Sequence, residues 1–213
     1  PLRHFSSLLD YIANDYCAAI AKAVSLRLHN RRVAMPHDGQ DMTLIATPVL
    51  ADLRQLTAQT LPAVDNILAN AKAALRTMVT ENDRISGKLI EAHQTAAHGV
   101  AWLATYAQAL HQMQNWADRL EADEKFGEVE QLIHQIAFGE YLWQIYGGIQ
   151  MNQGEVVRLQ DMGLTQDDAR GLMSPAAQML TGHGNTQAVR SRLVDLMQEQ
   201  SANITVGASG LDD

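Results

Sequence analysis

The amino-acid sequence predicts an all-α fold, a long antiparallel helical pair within an up-down four-helix-type bundle, with short accessory helices toward the C-terminal end. Three observations carry that expectation. Ala, Leu, Gln and Met are abundant, whereas only five prolines and three phenylalanines occur among 213 residues; such a composition favours helix over a sheet-based core. Apolar residues recur at steps of three and four through most of the chain, and no alternating β-branched run is present. The two longest apolar stripes are separated by one short acidic turn, Glu121 to Glu124, so the helices that carry them must run antiparallel.

Taken in order, the first stripe is Phe5, Leu8, Leu9, Ile12, Tyr16, Ala19, Ile20, Ala23 and Val24, ending in the cations His29, Arg31 and Arg32 that suit a helix C-terminus. This helix and the polar loop around Pro36 to Asp41 form an N-terminal segment, residues 1–41. A helical accessory domain is expected over 42–200. Thr47 with Pro48 reads as an N-cap followed by a first-turn proline, and Pro62 is expected to break or kink that helix. A second segment runs to Thr80 through Val64, Ile67, Leu68, Ala71, Leu75, Met78 and Val79. From Arg84 to Asp123 a single helix of nearly forty residues is expected, a rod of about 60 Å. Its middle, from Gly99 to Leu110, is apolar all round, so neighbours must cover several of its sides. The antiparallel partner runs from Phe126 to about Met151. Thr165 with Asp168 reads as a capping box, Ser174 with Pro175 as an N-cap and first-turn pair, and Asn185 as the cap of a last helix. Residues 201–213, small and aperiodic, read as a linker. The sequence opens on Pro1 rather than methionine, and a piece of a longer chain is therefore expected.

Composition narrows the function. A formal charge of −8 opposes a phosphate-backbone surface, and the basic clusters at Arg27, Arg31, Arg32 and at Arg190, Arg192 are short and lack interleaved aromatics. No nucleic-acid partner is expected. No apolar window approaches the ~20 residues of a membrane span, so no membrane partner is expected either. The single Cys17 cannot form an internal disulfide, in keeping with the cytoplasm.

Glu130 and His134 at i, i+4 could project two metal ligands from one helix face, but His93 and His98 diverge and no other ligand motif accompanies them. Hydrogen-bonded or surface histidines explain the pattern, and no metal site is expected. Gly147, Gly148 and Gly154 follow a helix C-terminus, where the dipole has the wrong sign for phosphate; helix termination with a left-handed glycine accounts for the pair. Cys17 lies in an apolar run with no activating base. Met151, Met162, Met173, Met179 and Met197 read as core filler, and Trp102, Trp116 and Trp143 as packing residues with one or two at an interface. Catalytic residues: none.

Two stretches carry a resemblance. EAHQTAAHGVAWLATYAQALHQM from Glu91 and FGEYLWQIYGGIQMNQGEVVRLQDMGL from Phe138 together resemble the N-terminal helical extension of bacterial acyl-CoA dehydrogenases of the methylsuccinyl-CoA dehydrogenase type, over about residues 50–165. Gln150 stands where the family pattern has proline. The resemblance implies that FAD, the flavin-binding loops and the catalytic glutamate belong to a flavin domain elsewhere in a parent chain, with none of them in this stretch. It further implies dehydrogenation of a branched acyl-CoA by that parent, a homo-oligomer, and transfer of electrons to an electron-transfer flavoprotein. On that reading Asn152, Gln153, Glu155 and Arg158, the polar exit from the second long helix, form a domain or subunit interface. The alternative reading is a free-standing helical interaction module without catalytic activity.

Overall fold

A computed structural model of the chain describes residues 48–199. The helix expected at 5–28, Cys17, the Thr47 cap, the segment 1–41 and the linker 201–213 lie outside the described residues. Helix α1, Leu53–Val79, buries Leu53, Thr57, Thr60, Val64, Ile67, Ala71 and Val79, a stripe at steps of three to eight along one face. It begins five residues later than Pro48 would start it, after Asp52 in a left-handed conformation. Pro62 lies inside it, so of the expected break or kink the break does not occur. A proline costs one main-chain hydrogen bond, and here the apolar stripe continues on both sides, with the Thr60 hydroxyl donating to the Thr57 carbonyl.

The expected rod from Arg84 to Asp123 is not one helix. Thr80–Glu81 (β1) and Arg84–Ile85 (β2) pair antiparallel around Asn82 and Asp83, both at positive φ (49° and 60°), the conformation of a two-residue hairpin turn. Helix α2, Gly87–Ala92, follows and buries none of its residues. The chain breaks at His93 (φ −114°, ψ 32°) before α3, Gln94–Ala122. Burial accounts for the break: α2 buries none of its residues and touches α1 only lightly, whereas α3 starts where Ala96, Gly99 and Val100 enter the core.

Helix α4, Glu128–Gly147, runs antiparallel to α3, since Trp116 meets Phe126 near their junction and Tyr106 meets Tyr141 and Gln144 farther along. Helix α1 is likewise antiparallel to α3: Arg54 pairs with Asp118 and Glu121, and Asp65 with His111. These three long helices share one core, built on Val64, Ile67, Leu103, Leu110, Phe138, Leu142 and Ile145. Onto it pack α5 (Gln166–Leu172) and α6 (Pro175–His183), while α7 (Gln187–Glu199) forms a second, smaller core with α4 through Val189, Leu196, Val129 and Leu132.

The expected caps of α5 and α6 are present. Thr165 Oγ1 accepts from Asp168 N and the Asp168 carboxylate accepts from Thr165 N, while Ser174 Oγ accepts from Ala177 N ahead of Pro175. The cap of α7 is Thr186, whose hydroxyl accepts from Val189 N, not Asn185. The Asn185 side chain bridges instead to Glu140 and Arg190. Helices α4 and α6 approach closely at Gly139, where a Cβ would lie 2.8 Å from the Leu180 carbonyl oxygen.

Candidate functional site

Helix α4 stops at Gly147, four residues short of the expected end. Gly148 takes φ 134°, a region nearly closed to other residues, and a Cβ there would lie 2.6 Å from Val156 Cγ1. Its freedom turns the chain into a short hairpin in which Ile149–Gln150 (β3) pairs with Val156–Val157 (β4). Alternation then sorts the side chains: Ile149 and Val157 are fully buried, while Gln150 and Val156 face outward. The hairpin is pressed onto α3 at Gly99, where a Cβ would come 2.4 Å from Val157 Cγ1.

Three of the four predicted interface residues belong to this hairpin. Asn152 and Glu155 are engaged with each other: Asn152 Nδ2 donates to Glu155 Oε2 at 3.0 Å, Asn152 Oδ1 accepts from Gly154 N at 2.9 Å, and the Glu155 carbonyl accepts from Met151 N. Gln153 sits exposed at the tip. Glu155 also borders an open cleft of about 440 Å³ with Gln94, Thr95 and His98 of α3. Arg158 lies apart from the turn, after β4; its main chain is tied to Asp161, which accepts from Arg158 N at 2.8 Å, and its side chain is exposed.

Trp143, expected among the packing residues with one or two of the tryptophans at an interface, is exposed beside the hairpin's helix end. Trp143 and Tyr146 stack on the outer face of α4, ring centroids 5.9 Å apart and planes 27° from parallel, at 55% and 41% exposure. Val156 adds an exposed aliphatic surface beside Gly148. Trp102 and Trp116, by contrast, pack half-buried against the core. The signal in the sequence was that α4 is apolar around most of its circumference, more than its packed neighbours cover.

A second polar assembly is internal. His134 is fully buried, with its ring between Phe126 and Phe138. Asp118 Oδ1 accepts from Gln114 Nε2 at 3.2 Å, Gln114 Oε1 accepts from Thr57 Oγ1 at 2.7 Å, and Thr57 Oγ1 lies 3.0 Å from His134 Nε2. The carboxylate fixes the Gln114 amide, which claims the Thr57 proton; Thr57 therefore has only a lone pair for the imidazole, so the network assigns the proton to Nε2. Nδ1 is buried without a partner. Burial lowers the His134 pKa to about 4, outweighing Asp118 and the Met113 carbonyl, which favour the charged form, while Arg54 also disfavours it. This ties α1, α3 and α4 together and gives His134 no ligand partner in Glu130. Among the described residues no cluster of three or more His, Cys, Asp or Glu is placed to hold a metal ion.

The fit to a flavin can be tested on the larger cleft, about 630 Å³, lined in part by Asp52, Arg54, Asp118 and Glu121. Arg54 is already paired with Asp118 and Glu121, and the excess of carboxylates would repel a pyrophosphate. This cleft therefore does not fit the pyrophosphate of FAD. The cations of the last helix are also engaged, Arg192 in a two-pronged pair with Glu128 (2.9 and 2.8 Å) and Arg190 with Asn185. No described helix is long and apolar enough to cross a membrane.

Fold and surface together define an all-helical domain that carries a closed hairpin and an exposed aromatic pair. No family model matches the chain. It is 48% identical over 166 residues to (2S)-methylsuccinyl-CoA dehydrogenase of Cereibacter sphaeroides. The match takes in 78% of this chain and 30% of that enzyme, so the chain resembles a part, under a third, of an acyl-CoA dehydrogenase.

Proposed function

We propose that this chain is the N-terminal accessory domain of an FAD-dependent acyl-CoA dehydrogenase, a cytoplasmic homo-oligomer that oxidises a branched acyl-CoA such as methylsuccinyl-CoA and passes electrons to an electron-transfer flavoprotein. The 48% identity to a dehydrogenase, confined to 30% of that enzyme's length, is the observation that carries this reading. The larger cleft, too acidic for a pyrophosphate, supports placing FAD on another domain of the parent. The domain's own work is structural. Its hairpin, with Asn152, Gln153 and Glu155, and the nearby Arg158 face the flavin domain or a neighbouring subunit, stabilising the assembly or shaping the acyl-CoA entrance.

Deleting residues 48–199 from the full-length chain tests this. The expected result is a flavoprotein with impaired assembly or altered kcat/KM across a series of acyl-CoA thioesters. Unchanged folding, assembly and selectivity would refute an accessory role.

A further inference from the structure

Resting on the accessory-domain reading, we propose that the stacked Trp143–Tyr146 pair, extended by Val156, is the face on which this domain seats against the flavin-bearing remainder of its own chain. The hairpin polar groups are poor candidates for the centre of that contact. Asn152, Gly154 and Glu155 already satisfy one another, so a partner gains little from them. The aromatic pair is the opposite case: two large rings preordered by stacking on a rigid helix, next to an exposed valine. Rigid exposed aromatics lose little side-chain entropy on docking and supply large contact area.

Area selects the occupant. With aromatic side chains presenting about 150–250 Å² each, the exposed fractions of 55% and 41% leave roughly 200 Å², to which Val156 adds a few tens of Å² at about 39% exposure. A stable complex between separate molecules needs about 800 Å² on each partner. A second free copy would therefore be held too weakly by this patch. A domain on the same chain needs no such area, because tethering supplies effective concentrations of about millimolar order. The matching surface on the flavin domain is expected to be uncharged and built from small or aliphatic residues that admit two rings, with Arg158 and Glu155 at the rim.

Hydroxyl-radical footprinting of the full-length chain, read residue by residue by mass spectrometry over a dilution series, tests the proposal. Relative to a short peptide spanning 140–149, an uncovered Trp143 at 55% exposure would be protected about twofold, whereas a ring desolvated in a domain contact would be protected roughly tenfold or more. The expected result is strong protection of Trp143 and Tyr146 that does not change on dilution, while Met179, 42% exposed elsewhere, stays reactive. Twofold protection, or protection that fades on dilution as contact with a second copy would, overturns it. W143E/Y146E in the same chain is expected to raise the rate of proteolysis between the two domains several-fold at unchanged helix content; an unchanged rate counts against it. Flavin content separates the two claims: a longer chain that binds FAD but leaves the pair reactive refutes only the docking face, whereas one with no flavin refutes the accessory-domain reading and the face with it.

Discussion

Acidification should weaken this domain through one residue, His134. In the unfolded chain its imidazole takes a proton near the ordinary pKa of 6.5, and in the folded chain only near 4. Between those values the unfolded state binds the proton and the folded state does not, so stability is full above pH 6.5 and falls as the pH drops toward 4. Below that, both states are protonated and the loss levels off. A difference of 2.5 units at about 1.4 kcal/mol each gives a loss of about 3 kcal/mol. Carboxylates also titrate in this window, so the diagnostic quantity is the difference between the wild-type chain and His134→Phe, which keeps the aromatic contacts with Phe126 and Phe138. Urea unfolding at pH 7, 6, 5 and 4 should show a steeper decline in the wild type, the two curves converging by about 3 kcal/mol. Parallel curves would refute the buried neutral histidine. Nitrogen-15 shifts of the imidazole check the same network: Nε2 should carry the proton.

Three further outcomes follow from local geometry. Gly139→Ala puts a methyl 2.8 Å from the Leu180 carbonyl oxygen, a backbone atom that cannot swing away, and should cost about 1–3 kcal/mol by chemical denaturation; the exposed Gly171, with nothing within 4 Å, should tolerate Ala. Thr165→Ala removes the reciprocal cap of α5 and should cost about 1 kcal/mol. Asp168, held below the usual carboxylate range by the Thr165 hydroxyl and amide and by Asn70, contributes stability present above pH 3.8 and lost as the pH falls below it; Asn70→Ala should move its titration upward by NMR.

Helix content and two of the caps were legible because they depend on short-range chemistry. Thr165 with Asp168, and Ser174 with Pro175, satisfy the first amides of a helix whatever lies around them. The long helix was misread where tertiary contacts decide: the three-and-four pattern crosses Arg84 to Ala92 without interruption, yet that turn buries none of its residues, so little holds its register against a break at His93. Asn82-Asp83 was a hairpin signal, since both residue types tolerate positive φ, but two-residue strands are too short to leave an alternating pattern. Pro62 misled in the other direction, because burial along α1 outweighed one missing hydrogen bond. The polar exit residues were visible in the sequence, whereas their mutual pairing was not: it depends on the Gly148 backbone closing the hairpin. The solvent exposure of Trp143 and Tyr146 had no signature beyond an α4 more apolar than its neighbours require.

The central claim is that this domain belongs to a larger flavoprotein, and the native size and flavin content of the protein in its source cells test it most directly. Immunoprecipitation with an antibody raised to residues 48–199, followed by intact mass and absorbance, should recover a chain well above 23.4 kDa that carries stoichiometric FAD. A flavin-free species at 23.4 kDa would contradict the account and leave a free-standing helical interaction module in its place.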